Sequence, residues 1–184
     1  MAQEKTGEHW VDKHLYGSHT RGEFEHAEVS VFVGKNPWMS HSFPRARVVL
    51  NEIAKDPRRS MIVIDPVLTD TARMADFHLR VRPGTDAWCL AAMAAVLVKE
   101  KLCNDAFLAE HFNGADSVRE VLSGVPVTDF AAQCGVGRVA ACCRAMDRDR
   151  RQCCGVRTSA SNRRQTHTLL VLEQAVVNTD RQLR

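Results

Sequence analysis

The sequence runs Val29-Ser30-Val31-Phe32-Val33-Gly34-Lys35-Asn36-Pro37-Trp38-Met39-Ser40-His41, later Met61-Ile62-Val63-Ile64-Asp65-Pro66, and later still Leu79-Arg80-Val81-Arg82-Pro83-Gly84-Thr85-Asp86. Each apolar, β-branched run stops at a turn made of Gly, Asn, Pro, Asp or Thr. The run from Val29 to Val33 is apolar on both faces, which is the pattern of a strand covered on both sides in a parallel sheet. Between the first two runs, Phe43 to Lys55 places Ala46, Val49, Leu50 and Ile53 at helical spacing, and Asp56-Pro57 stops it. That segment predicts a crossover helix. A short helical turn is expected over Thr69 to Ala75, capped by Thr69 or Asp70, and a third strand over His78 to Val81. A long helix opens at Thr85-Asp86 and reaches about Lys101. The expected fold is α/β: a parallel sheet with crossover helices. Such sheets bind ligands at the carboxyl ends of their strands, so function is expected in the three loops.

The flanks carry less. Residues 1–28 form a polar, His-rich lead-in with Gly17 and Gly22 as breakers and little core. Beyond the long helix, helical patterns cover 105–111, 117–122, 129–134 and 136–145, so the domain is expected over 29–147. At 184 residues and 45% hydrophobic content the chain suits one domain with a real core. No apolar run approaches the ~18 residues of a membrane helix, and an N-terminus with Glu4, Glu8 and Asp12 is no secretion signal, so a cytoplasmic protein is expected. The net charge of +3 is local: residues 144–184 hold nine Arg against four acids, leaving sixteen basic and eighteen acidic residues before them. A basic tail without interleaved aromatics or a known module is a weak nucleic-acid signal, and no specific nucleic-acid partner is expected. Cys89, Cys103 and Cys134 read as buried thiols. Cys142-Cys143 and Cys153-Cys154 are adjacent pairs that cannot easily share one tetrahedral ion, so no metal is assigned to them.

Known catalytic signatures are missing from the loops. Gly34-Lys35 lacks the glycines of a phosphate-wrapping Walker loop, and the sequence contains no Gly-x-Gly-x-x-Gly, Gly-x-Ser-x-Gly or His-Glu-x-x-His. No catalytic nucleophile is assigned. A binding surface remains: Gly34 allows close backbone approach, Asn36 offers an amide, Pro37 fixes the turn, Asp65 is placed to accept from hydroxyls or a base edge, and Thr85 and Asp86 stand at a helix start. The plain alternative is that Asn-Pro and Asp-Pro are turns and Asp86 caps its helix.

In order and spacing, Val33 to His41, Ile64-Asp65-Pro66 with Thr69-Asp70-Thr71-Ala72 and Ala75-Asp76, and Arg82-Pro83-Gly84-Thr85-Asp86-Ala87 resemble the molybdopterin oxidoreductases. The similarity is to the bis-molybdopterin guanine dinucleotide enzymes, in the formate dehydrogenase-like branch, and covers about residues 14–140. It implies a Rossmann-like parallel sheet, a truncated single domain of a larger enzyme, and molybdopterin guanine dinucleotide as cofactor. The implied contacts to the guanosine and phosphate part are Gly34, Lys35, Asn36, Pro37, Met39 and Ser40, then Asp65, Pro66, Val67 and Thr69, then Gly84, Thr85 and Asp86. Val67 stands where the family often has Arg. The family's iron–sulphur motif and molybdenum-ligating residue have no counterpart before Val29, so the chain is expected to be inactive alone, with the remaining portions of the enzyme as partners. The alternative is a standalone nucleotide-binding or regulatory module without redox chemistry, which predicts affinity for free guanine nucleotides. Residues 148–184 are expected to be an out-of-frame, poorly ordered tail: shifted one nucleotide forward, the codons of Gln152 to Thr158 permit Ser-Val-Ala-Val-Phe-Glu, which resembles the family's next strand.

Overall fold

Alternation along the strands sorts the core into two layers. The computed structural model describes residues 24–41, 43–103, 113–137, 139–148 and 153–156, with isolated positions elsewhere. All five residues of β1 (Val29–Val33) are buried. Because successive side chains leave a strand on opposite faces, Val29, Val31 and Val33 join one apolar cluster while Phe32 joins another. Strand β2 (Ser60–Ile64) divides in the same way, Ile62 and Ile64 to the first cluster and Met61 and Val63 to the second.

Strand β2 lies parallel to β1, with Val29 opposite Ser60 and Val33 opposite Ile64. Strand β3 (Phe77–Leu79) extends the sheet beyond β2, and β4 (Cys153–Val156) pairs in parallel with the other edge of β1. The order is β3-β2-β1-β4. Successive strands step outward from β1 to β3, and the chain then returns to the opposite side of β1. The order therefore reverses at the carboxyl end of β1, the kind of point at which open α/β sheets form a ligand crevice.

Helices complete the connections. A helical turn α1 (Pro37–Ser40) and helix α2 (Ala46–Lys55) join β1 to β2, and the turn α3 (Asp70–Arg73) joins β2 to β3. Four helices lie between β3 and β4: α4 (Asp86–Lys99), α5 (Ala115–Ser123), α6 (Val127–Cys134) and α7 (Val139–Arg148). Helix α2 buries the stripe Ala46, Val49, Leu50 and Ile53, the four positions its spacing marks. Helix α4 buries Cys89, Leu90 and every residue from Ala92 to Leu97, because it is packed between the sheet and the later helices.

The structure departs from the sequence expectations in four places. Helix α2 starts at Ala46 rather than Phe43: a residue before proline is held out of the α region, and Arg45 takes a left-handed φ of 55°. Strand β3 covers Phe77 to Leu79 rather than His78 to Val81, since Val81 N turns back to Leu79 O at 3.0 Å. The end of the polar lead-in is core, with Phe24 and Ala27 buried and Phe24 stacked on Phe32 and Phe43 at 5.1 and 4.6 Å between ring centroids. Arg59 holds that segment, donating to the carbonyls of Ala27 and Phe24. Finally, the tail expected to be poorly ordered contributes β4, which pairs the backbone of an otherwise open edge of β1. The rest of the tail, and most of the helix expected at 105–111, lie outside the described residues. Cys89, Cys134, Cys142 and Cys143 are buried, and Cys103 is partly so. Among the described residues no helix is long and apolar enough to cross a membrane.

Candidate functional site

Three loops leave the carboxyl ends of β1, β2 and β3 side by side, stitched together by main-chain hydrogen bonds from Gly34 N to Ile64 O at 2.8 Å and from Asp65 N to Leu79 O at 3.2 Å. The first loop turns at Gly34, whose φ of 56° is the left-handed region that glycine enters without a Cβ clash. Pro37 occupies the first helical position of α1 and is buried. The carbonyl of Asn36 accepts from Met39 N and Ser40 N at 3.0 and 2.9 Å, and from Ser40 Oγ at 3.1 Å. The Asn36 side chain reaches across to α3: its Oδ1 accepts from Thr71 Oγ1 at 2.8 Å and from Thr71 N at 3.4 Å. Thr71 Oγ1 in turn accepts from Trp38 N at 3.2 Å. Arg47 lies over the Trp38 ring, 5.4 Å from its centroid, and donates from Nε to Trp38 O at 2.8 Å.

In the second loop Asp65 is buried, with Oδ1 accepting from Val67 N at 2.8 Å. His78 Nε2 bonds the Asp65 carbonyl at 2.9 Å, and Arg80 Nε donates to Pro66 O at 3.0 Å. Val67 is 61% exposed. The Thr69 hydroxyl accepts from Ala72 N at 3.2 Å, so Thr69, rather than Asp70, caps α3.

The third loop is fixed by Arg82 N donating to Cys134 O at 3.0 Å, which ties it to the end of α6, and by a left-handed Gly84 with φ of 79°. Thr85 closes the turn on itself, donating from Oγ1 to Arg82 O at 2.6 Å. Asp86 begins α4, and burial pushes its carboxyl above the ordinary value. Its own backbone N–H opposes that shift, and the charge of Asp65 adds to it. The second and third loops thus bring two carboxylates within electrostatic reach of each other.

The structure gathers every implied contact residue at one end of the sheet, with different freedom. The hydroxyls of Thr69 and Thr85 are engaged within their own loops, Pro37 is buried, and Met39 is 60% exposed. Sequence spacing misses Thr71 and Arg80. Thr71 reads as one more helix residue until its partner, thirty-five positions earlier, is in place. Among the described residues no group of three or more His, Cys, Asp or Glu side chains is arranged to hold a metal ion.

Comparison with known proteins gives this geometry a lineage. The sequence matches the molybdopterin oxidoreductase family over residues 1–171. The chain belongs to that family. Formate dehydrogenase H of Escherichia coli is 33% identical over 107 residues, 58% of this chain and 14% of that protein. The F420-dependent formate dehydrogenase subunit alpha of Methanocaldococcus jannaschii is 29% identical over 116 residues, 63% of this chain and 17% of that protein. The probable oxidoreductase YyaE of Bacillus subtilis is 38% identical over 71 residues, 39% of this chain and 11% of that protein. The fold is shared with acetylene hydratase from Pelobacter acetylenicus, at a TM-score of 0.81 and 22% identity, over 96% of this chain and 25% of that one. The chain thus spans less than a fifth of the length of these curated oxidoreductases and a quarter of the solved structure.

Proposed function

We propose that the three strand-end loops bind the guanosine and phosphate part of molybdopterin guanine dinucleotide, in the manner of a formate dehydrogenase-like enzyme of which this chain is one portion. The observation that carries this reading is the convergence of a left-handed Gly34, the Asn36 amide and the buried Asp65 carboxylate at the carboxyl ends of the adjacent parallel strands β1 and β2. The donor and acceptor set fits a nucleotide. Asp65 uses Oδ1 on Val67 N, and its carboxylate retains acceptor capacity for ribose hydroxyls or a guanine N–H edge. Lys35, Arg80 and Arg82 supply positive charge around the loops to offset phosphate. Arg80 reaches Pro66 O and so places a guanidinium beside Val67. In members of this family the pterin and its molybdenum supply the redox chemistry when bound, while the protein orients them. This chain's residues hold and orient the nucleotide end, and the remaining portions of the enzyme complete the metal site. We also propose that residues after about 148 are read out of frame, which sequencing of the gene tests: a forward frame encoding nothing family-like overturns it.

Equilibrium dialysis of the full chain against GDP tests the binding. Saturable binding is expected, with Asp65→Ala or Asp86→Ala weakening it about tenfold or more, since a charge-assisted hydrogen bond contributes roughly 1.5 to 3 kcal/mol. Unchanged affinity in a folded Asp86→Ala variant leaves Asp86 as an acidic first-turn residue of α4 with no ligand role, and absence of any GDP binding overturns the reading. Purified alone, the chain is expected to carry no stoichiometric molybdenum or iron and to oxidise no formate; one molybdenum per chain with turnover contradicts that.

A further inference from the structure

The Asn36 side chain can be placed in two ways that differ by exchanging oxygen and nitrogen, and they present opposite chemistry to a ligand. Thr71 decides between them. Its backbone N–H can only donate, so the Asn36 atom facing it, 3.4 Å away, must be the oxygen. The hydroxyl agrees: Thr71 Oγ1 already accepts from Trp38 N at 3.2 Å, and so has its own proton to give to Asn36 Oδ1 at 2.8 Å. A threonine hydroxyl has one proton, and this arrangement uses it once, on Asn36 Oδ1. The carboxamide oxygen is thereby spent inside the protein. Its NH2 group, on the other edge of the same plane, makes no hydrogen bond among the described residues, and the side chain is only half-buried.

We propose that Thr71 is a positioning residue for the nucleotide site: it locks the Asn36 carboxamide so that the first loop presents an NH2 donor, and the ligand atom received there is a hydrogen-bond acceptor. This deepens the nucleotide reading and rests on it for the identity of the ligand, whereas the lock itself belongs to the ligand-free chain. Thr71 is suited to the task because it is fully buried in the first turn of α3, whose start is fixed by the Thr69 cap. The loop after β1 therefore takes its side-chain chemistry from the loop after β2.

The lock and the donor are tested separately on the full chain. Amide hydrogen exchange without ligand reads the lock. Thr71→Val should release protection at Trp38 N and Thr71→Ser should restore it. Asn36→Ala should release protection at Thr71 N, and Asn36→Asp, which keeps an accepting oxygen, should retain it. Unchanged protection at Trp38 N in Thr71→Val, or loss at Thr71 N in Asn36→Asp, overturns the orientation. GDP affinity reads the donor. Asn36→Asp should bind at least tenfold more weakly while remaining folded, Thr71→Val severalfold more weakly, and Thr71→Ser within twofold of the parent. Parent-like affinity in Asn36→Asp overturns the donor assignment. If the parent chain binds no GDP, the nucleotide reading and the donor role fail together, and the exchange pattern alone decides whether Thr71 sets the amide.

Discussion

The two faces of the sheet are covered by different means. On one, β1 and β2 send Val29, Val31, Val33, Ile62 and Ile64 into aliphatic side chains and thiols from α4, α6 and α7. On the other, Phe32 meets Phe24 and Phe43 in an aromatic stack, and one amphipathic helix, α2, closes the layer. The first face is thick: α4 is apolar nearly all round because protein lies on both of its sides. The second is thin, with Val48 of α2 46% exposed beyond the stripe. A thick layer spreads its stabilisation over many interchangeable aliphatics, whereas a thin one concentrates it in a few large rings.

The sharpest way to break that contrast is Phe32→Ala, which removes a fully buried ring of the stack and should cost about 3–5 kcal/mol in urea unfolding. Leu90→Ala in α4 should cost about 2–5 kcal/mol, nearer the lower end if the thick layer relaxes into the space. A larger loss in Leu90→Ala than in Phe32→Ala would reverse the comparison. Thr69→Ala should lose about 1 kcal/mol by uncapping α3, on the thin side. The smallest effect concerns the edge between the faces. Asp86 should titrate above its ordinary value by NMR, most of the shift remaining in Asp65→Asn because burial is its main cause. A carboxyl whose folded pKa lies above its unfolded one favours folding when protonated, so this contribution is lost as pH rises through the folded pKa, and Asp86→Asn should flatten that part of the stability profile. A shift abolished by Asp65→Asn would make charge, not burial, the cause.

The contrast also marks how far the sequence could be read. Strands β1 and β2 and helix α2 are legible because their periods and stop signals are local: Ala46, Val49, Leu50 and Ile53 fall on one helical face whatever the fold, and Asp56-Pro57 ends it. Phe24 and Ala27 are not, since a polar neighbourhood hides two core residues, and the partners of Phe24 are Phe32 and Phe43. At the site, the loops were visible as turn chemistry at strand ends. The division of labour within them was not. Thr69 reads as a cap candidate and does cap α3, whereas Thr71 reads as helix filler and grips Asn36 across thirty-five residues. Hydrogen-bond roles of this kind depend on tertiary approach, which no local window contains.

The measurement that bears most directly on the nucleotide site is backbone NMR shift mapping of the full chain titrated with GDP. Saturable shifts confined to Gly34–Ser40, Asp65–Thr69 and Gly84–Asp86, with Thr71 following Asn36, are the predicted result. Shifts centred instead on α5 to α7, or none at all at millimolar GDP, would contradict it.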